Sequence, residues 1–320
     1  MSARPVAFCL RALGLGDLLA AIPALRAVRR ALPDHELILG CPPALEPLVD
    51  LAEVADTVLP VLGLEPLMWS DPRPAVVINL HGKGPRSSEL LLGLKARRLV
   101  AFDCPALGIS GPAWNADEHE VARWCRLVAE TLEARADPEE LDLPVPATEP
   151  PMRRAVIIHP GAAFASRQWP ADRFAAVAGW AVGRGLPVLL TGGTAERALA
   201  TSVADSAGLP TTAVLAGRTN LLQLAALVAD AQLLISGDTG VAHLATALRT
   251  PSVVLFGPTP PTRWGPPPNR PEHIAIWHGE GTGDPWGGSV DPALLRIGVD
   301  EVVSSAEALL TATQTTRSSW

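Results

Sequence analysis

The chain contains no tyrosine and only two lysines, Lys83 and Lys95, among its 26 basic residues. Positive charge rests on arginine, and 33 acidic residues bring the net charge to −7. Nothing here resembles the basic stripe of a nucleic-acid-binding surface, so nucleic acid is excluded as a main partner. No apolar run approaches the ~18 residues of a membrane-spanning helix, so no transmembrane span is expected and only peripheral membrane contact stays open. The N-terminus lacks the charged, apolar and small-residue succession of a secretory signal. The four cysteines, Cys9, Cys41, Cys104 and Cys125, lie far apart and form no CxxC pair. A cytoplasmic, reduced protein is expected from this, with Cys9 a core thiol in a strand. No DxD loop suited to a divalent ion is evident, and no metal is expected. What the chain does have is 48% hydrophobic content over 320 residues, enough for two full cores.

One stretch organises the rest, residues 232–266. It opens on Leu233, Leu234 and Ile235, an apolar run that predicts a buried parallel strand. A glycine loop follows, Ser236-Gly237-Asp238-Thr239-Gly240. A helix is then predicted, with Leu244, Ala247 and Leu248 at spacings of three and four. Strand, glycine loop and helix make half of a nucleotide-binding unit. The first N–H groups of a helix lack intrahelical partners and carry its positive dipole end, so an anion there satisfies both. Asp238 and Thr239 suit a cap, and His243 lies one turn in, able to lean back over the loop. A second reading stands beside this one, in which the caps are only caps and His243 is a packed surface histidine.

The first half repeats the theme. Residues 5–10 predict a strand, residues 11–17 a turn, and residues 18–32 a helix with Pro23 close to its first turn. Asp17 therefore falls where a strand's carboxyl end meets a helix, the side on which open α/β sheets bind ligands. Its plain alternative is a helix N-cap. Gly14 and Gly16 resemble the start of a dinucleotide fingerprint, but no third glycine follows at the required spacing. A further strand at 75–80 runs into a basic glycine loop containing His81, Lys83 and Arg86, with a helix predicted from Ser88. These three side chains suit an anionic or hydroxyl-rich ligand, and they serve equally as a solvated loop.

Residues 135–153 are acidic, proline-rich and aperiodic, and read as a linker. Strand–helix alternation then restarts, with a short strand expected at 212–215 and a final helix at 300–310. The fold class is α/β, two Rossmann-like doubly wound parallel sheets over residues 1–145 and 146–320 with a cleft between them, the C-terminal helix packing back on the first domain. In the second half, Arg167 sits in a loop from which its fork can reach pyrophosphate oxygens. Glu196, after Gly192-Gly193, suits ribose hydroxyls. Each also reads as an ordinary solvent-facing side chain.

Together these residues resemble glycosyltransferase family 9, the family of the ADP-heptose:lipopolysaccharide heptosyltransferases. The resemblance rests on Leu15-Gly16-Asp17 with Ile22-Pro23-Ala24-Leu25, His159-Pro160-Gly161-Ala162, and Arg167-Gln168-Trp169-Pro170. It continues through Gly192-Gly193-Thr194-Ala195-Glu196, Gly217-Arg218-Thr219, Asp238-Thr239-Gly240 with His243, and Phe256-Gly257-Pro258-Thr259. It implies a GT-B architecture, with an acceptor-binding first half and a nucleotide-sugar-binding second half. It implies inverting, metal-independent sugar transfer, heptose from ADP-heptose, to a hydroxyl of a glycan, glycolipid or small molecule, with ADP as product and no cofactor. By the same resemblance Asp17 is the general base, and Arg167, Glu196, Asp238, Thr239, Gly240 and His243 hold the donor. Gly14, Gly16, His81, Lys83 and Arg86 would line the acceptor side. Two departures stand out. Family members commonly carry lysine at Arg167, and residues 278–297 match no family pattern. The rival classes are a catalytically silent nucleotide-sugar-binding protein and an NAD-dependent oxidoreductase.

Overall fold

The computed structural model describes residues 4–70 and 73–318. The chain divides into two compact units, Met1–Leu143 and Pro144–Trp320, the boundary falling inside the proline-rich stretch.

The first unit runs β1 (Val6–Leu10), α1 (Leu15–Ala31), β2 (Glu36–Cys41), α2 (Glu46–Ala52), β3 (Thr57–Pro60), β4 (Val76–Asn79), α3 (Arg86–Leu92), β5 (Arg98–Val100) and α4 (Glu120–Leu132). All its strands pair in parallel, in the order β3-β2-β1-β4-β5. β1 lies in the middle and every residue of it is buried, as its unbroken apolar run demands. α1 packs against α4. Phe8, Leu10, Val77 and Leu91 form a core on which Leu64, Leu67 and Trp69 lie.

The second unit runs β6 (Val156–His159), α5 (Ala171–Gly183), β7 (Val188–Leu190), α6 (Arg197–Ser206), α7 (Leu221–Asp230), β8 (Leu233–Gly237), α8 (Gly240–Ala247), β9 (Ser252–Phe256), α9 (Pro261–Trp264), β10 (His273–Trp277), α10 (Pro292–Arg296) and α11 (Val299–Ser318). Its sheet is also parallel, ordered β10-β9-β8-β6-β7. Val302, Ala306 and Leu309 of α11 join this unit's core, where the helix packs on α5.

Several elements differ from their sequence reading. α1 begins at Leu15, so Asp17 is the third helical residue and not the N-cap, which is Gly14. The Asp17 carboxylate instead reaches back to accept the Gly14 N–H at 3.2 Å. Pro23 lies in the third turn of α1, buried, at the cost of one ladder bond. Residues 211–213 form a tight 3₁₀ turn, and only Val214 bridges the sheet, to Leu190. A strand with one partner on one side needs more than a single bridging residue, and the exposed Thr211 and Thr212 supply no core contact. β10 was not legible beforehand. It is an edge strand of five residues whose alternation is broken by an exposed Ala275.

Protonation links this fold to pH at β10. His273 is buried, its Nδ1 is 2.8 Å from Ser252 Oγ, and its Nε2 has no hydrogen-bond partner. Burial pushes its pKa down to about 4, aided by the Arg270 and Arg249 cations and opposed by Glu272. The folded state therefore binds fewer protons than the unfolded chain between pH 4 and about 6.5, and stability falls as pH drops through that window. The full penalty is at most about 3 kcal/mol from a shift of this size. Thermal unfolding from pH 7 to 4.5 is expected to show a shallower loss of midpoint for His273→Asn than for the parent chain. Identical slopes would show that His273 is not involved.

Candidate functional site

In each sheet all strands are parallel, so their carboxyl ends share one edge. In the first unit the chain order reverses between β1 and β4, and in the second between β6 and β8. At such a switch point the two connecting loops diverge and leave a crevice for a ligand. Apart from Glu196, which follows β7, the sequence-selected residues fall at these two places.

At the first, Arg11 follows the last residue of β1 and is completely buried. Its Nε donates to the Asp17 carbonyl at 2.9 Å and its Nη1 to the Leu80 carbonyl at 2.6 Å. Its Nη2 donates to Glu120 Oε1 at 3.0 Å and lies 3.4 Å from Asp17 Oδ1. Glu120 is also buried, takes the Trp124 Nε1–H at 2.7 Å and pairs through its other oxygen with Arg123. The guanidinium carbon of Arg11 stands 4.7 Å from the centre of the Trp124 ring. Asp17 keeps 29% of its side chain exposed, so the carboxylate is held from behind and open in front.

Beside it, the chain leaves β4 through Asn79. Its amide donates to Ser87 and Ser88 and its carbonyl oxygen accepts the His81 N–H, which fixes the loop. Burial, reinforced by the Arg11 cation, pushes the His81 pKa down to about 4, so the ring is neutral at pH 7. His81 Nδ1 is buried without a partner. Lys83 and Arg86 are exposed, with Arg86 the first residue of α3. Gly14 is the N-cap of α1 and Gly16 its second residue, so only Gly14 belongs to the turn. The Gly14 N–H that a dinucleotide phosphate would need is already taken by the Asp17 carboxylate, which counts against the NAD reading.

At the second switch point three loops meet. A Cβ added at Gly237 would stand 2.9 Å from the Arg167 carbonyl oxygen, and one at Gly257 3.1 Å from the Ser166 carbonyl oxygen. Gly237 is needed because backbone passes against backbone, and at Gly257 a side chain would also meet Leu294 Cγ at 2.9 Å. Gln168 Nε2 closes the 160–170 loop on the Ala162 carbonyl at 2.9 Å, and Trp169 anchors it through Nε1 to the Ile297 carbonyl at 3.2 Å. Arg167 lies with its guanidinium carbon 5.5 Å from the centre of the Phe164 ring. Thr239 caps α8 by position only, since its hydroxyl makes no cap bond. Asp238 Oδ1 and His243 Nε2 stand 3.9 Å apart, so His243 does lean back over the loop, edge-on to Trp264.

Among the described residues, three buried polar atoms without a hydrogen-bond partner fall in these loops: Ser166 Oγ, Arg167 Nε and Thr239 Oγ1. Orphaned buried donors are costly, by roughly 1–3 kcal/mol each, and such a cluster is expected only where something else satisfies it.

Glu196 sits at the neighbouring strand ends. Its Oε2 accepts the Gly193 N–H at 2.6 Å and lies 3.9 Å from His159 Nε2. A Cβ at Gly161 would lie 2.0 Å from Glu196 Oε1, so the carboxylate occupies the room that the glycine leaves. His159 Nδ1 is 3.0 Å from Thr191 Oγ1. Burial holds the His159 pKa below its usual value, while Glu196 pulls the other way.

Sequence reasoning missed Arg11, Glu120, Ser166 and His159 as site residues. A signal existed for two of them. Arg11 is a charge directly after a fully apolar strand, and Glu120 lies four residues before Trp124 on the apolar face of its helix. The patternless segment also has a place. The Ser166 N–H donates to the Gly287 carbonyl at 3.1 Å, the Asp291 N–H to the Ser166 carbonyl at 3.3 Å, and the Gly283 N–H to the Pro258 carbonyl at 2.7 Å. Residues 283–291 thus brace the loop that carries Arg167.

Comparison with known proteins follows the same lines. The profile of glycosyltransferase family 9 (heptosyltransferase) matches residues 112–282. Lipopolysaccharide heptosyltransferase 3 of Escherichia coli is 35% identical over 127 residues, 39% of this chain and 37% of that protein. Lipopolysaccharide heptosyltransferase 1 of Pseudomonas aeruginosa is 35% identical over 155 residues, 47% of this chain and 42% of that protein. The chain thus spans less than half the length of these curated relatives. The solved Escherichia coli ADP-heptose lipopolysaccharide heptosyltransferase II superposes with a TM-score of 0.77 at 19% identity, covering 97% of this chain and 99% of that one. That likeness gives both parallel-sheet units the GT-B fold.

Proposed function

Since the chain belongs to glycosyltransferase family 9, we propose that it is an inverting, metal-independent glycosyltransferase that moves heptose from ADP-heptose to a hydroxyl of a glycan or glycolipid acceptor. The acceptor is bound by the first unit and the donor by the second.

One observation carries the donor side, the cluster of orphaned Ser166 Oγ, Arg167 Nε and Thr239 Oγ1. All three can donate; Thr239 is the N-cap of α8, whose N–H groups and dipole also favour an anion, and the Arg167 backbone passes against Gly237 in the loop leading to it. A diphosphate satisfies this set. In the reaction it leaves with growing negative charge, and donors fixed in advance stabilise that charge without reorganising. The Glu196 carboxylate suits ribose hydroxyls as a pure acceptor.

On the acceptor side a sugar hydroxyl is a weak nucleophile, and Asp17 takes its proton as the new C–O bond forms. Asp17 is exposed in front and hydrogen-bonded behind, the arrangement a base requires. Neutral His81, in the loop after the adjacent strand β4, offers an unpartnered ring nitrogen to a hydroxyl.

Thermal shift across ADP, ADP-heptose, UDP-sugars and GDP-sugars tests this reading. Ligands that prefer the folded state stabilise it by about 2.7 kcal/mol at a hundred times Kd, so the adenine nucleotides are expected to raise the midpoint and the others not. A flat response to the whole panel would refute the donor assignment.

A further inference from the structure

We infer that Arg11 is a positioning residue for Asp17, holding the carboxylate ionised and aimed, and that buried Glu120 sets how much of the Arg11 charge Asp17 feels. The inference rests on the reading of Asp17 as the base.

Three features lead to it. The first is completeness of the fork. Nε, Nη1 and Nη2 of Arg11 together reach the backbone of Asp17, the backbone of Leu80 and the carboxylates of Asp17 and Glu120. Those acceptors belong to the first turn of α1, the end of β4 and α4, so one planar group ties the three elements that frame the switch point. Lysine, with a single nitrogen, cannot span them.

The second is cost. Burying a guanidinium is expensive, and replacing such ion groups by apolar residues is often neutral or stabilising. A fully buried arginine at the end of an apolar strand therefore calls for a reason other than stability. Its contact with the one carboxylate that remains open to solvent in this cluster supplies one.

The third is charge balance. Among the described residues, ion pairs link four charged groups here, Arg11, Arg123, Glu120 and Asp17. Two cations face two anions only while Asp17 is ionised. Arg123 pairs with Glu120 and donates to the carbonyls of Asn115, Ala116 and Glu118, while Arg11 Nη2 lies 3.4 Å from Asp17 Oδ1. Neutral His81 adds no charge near pH 7. Glu120 competes with Asp17 for Arg11, and so moderates its pull.

The two carboxylates thus predict shifts of opposite sign. In full-length chain labelled at the aspartate carboxyl carbon, the Asp17 resonance is assigned by its loss in Asp17→Asn and followed against pH. Arg11→Met is expected to raise its titration midpoint by about one pH unit or more, because an attractive cation is removed. Glu120→Gln is expected to lower it, because Arg11 is no longer shared. Arg11→Lys keeps the charge and loses the fork, so the midpoint stays near the parent value while turnover with ADP-heptose and a heptose-deficient lipopolysaccharide core drops at least tenfold. A fold defect cannot move one resonance in both directions. An Asp17 midpoint indifferent to both Arg11→Met and Glu120→Gln overturns the inference, as does full turnover in Arg11→Lys. If the shifts appear but Asp17→Asn retains turnover, the inference about charge stands and the assignment of Asp17 as base fails instead.

Discussion

Asp17→Ala is expected to lower sugar transfer by about 10²- to 10⁴-fold, the range that a positioned general base contributes. The geometry makes this the most damaging single change proposed. The carboxylate is third in α1, where its own helix start and the Arg11 fork hold it, and alanine keeps the helix while removing the proton acceptor. Donor affinity should stay within a few-fold, because the donor loops belong to the other compact unit. Transfer is read as ADP release from ADP-heptose in the presence of acceptor, and affinity by calorimetric titration with ADP. Unchanged turnover would remove Asp17 from the chemistry and favour a nucleotide-sugar-binding protein without transferase activity. Loss of ADP affinity together with turnover would point to damage spreading beyond the first unit.

The second large effect is expected at Arg167. Arg167→Ala should weaken ADP binding by about 1.5–3 kcal/mol, the worth of a hydrogen bond to a charged group. That corresponds to roughly a 10- to 150-fold rise in Kd. Arg167 Nε is buried without a partner, in a loop braced by residues 283–291 and locked by Gln168 and Trp169. A loop held in place before binding gives up little freedom on binding, so more of the interaction appears as affinity. Arg167→Lys should recover only part of the loss, since a point charge replaces a planar fork. An ADP affinity equal to that of the parent chain would place the diphosphate elsewhere.

Much of this was legible beforehand, for reasons that act over a few residues. Apolar runs such as 233–235 become buried parallel strands because both faces of the sheet are covered. Helix periodicity placed α1, α5 and α8 to within a few residues. Glycine loops at strand ends marked Asp17, Glu196 and the 236–240 loop, because backbone must pass close there. The family 9 profile spans residues 112–282, which hold Glu196 and the 236–240 loop but not Asp17.

The sequence by itself therefore determined the alternation of strands and helices, the two units, and which glycine loops follow the strand ends, since each follows from local spacing and composition. Only the tertiary structure decided which loops are neighbours. Arg11 finds Leu80 and Glu120 at separations of 69 and 109 residues, and Ser166 meets the segment around Gly287 and Asp291. The reason is topological. Parallel strands bring all their carboxyl ends to one edge, but the order of strands along that edge sets who touches whom, and periodicity carries no record of that order. Whether a buried polar atom is satisfied or orphaned depends on the same order, and with it the identity of the groups that surround Asp17 and Arg167.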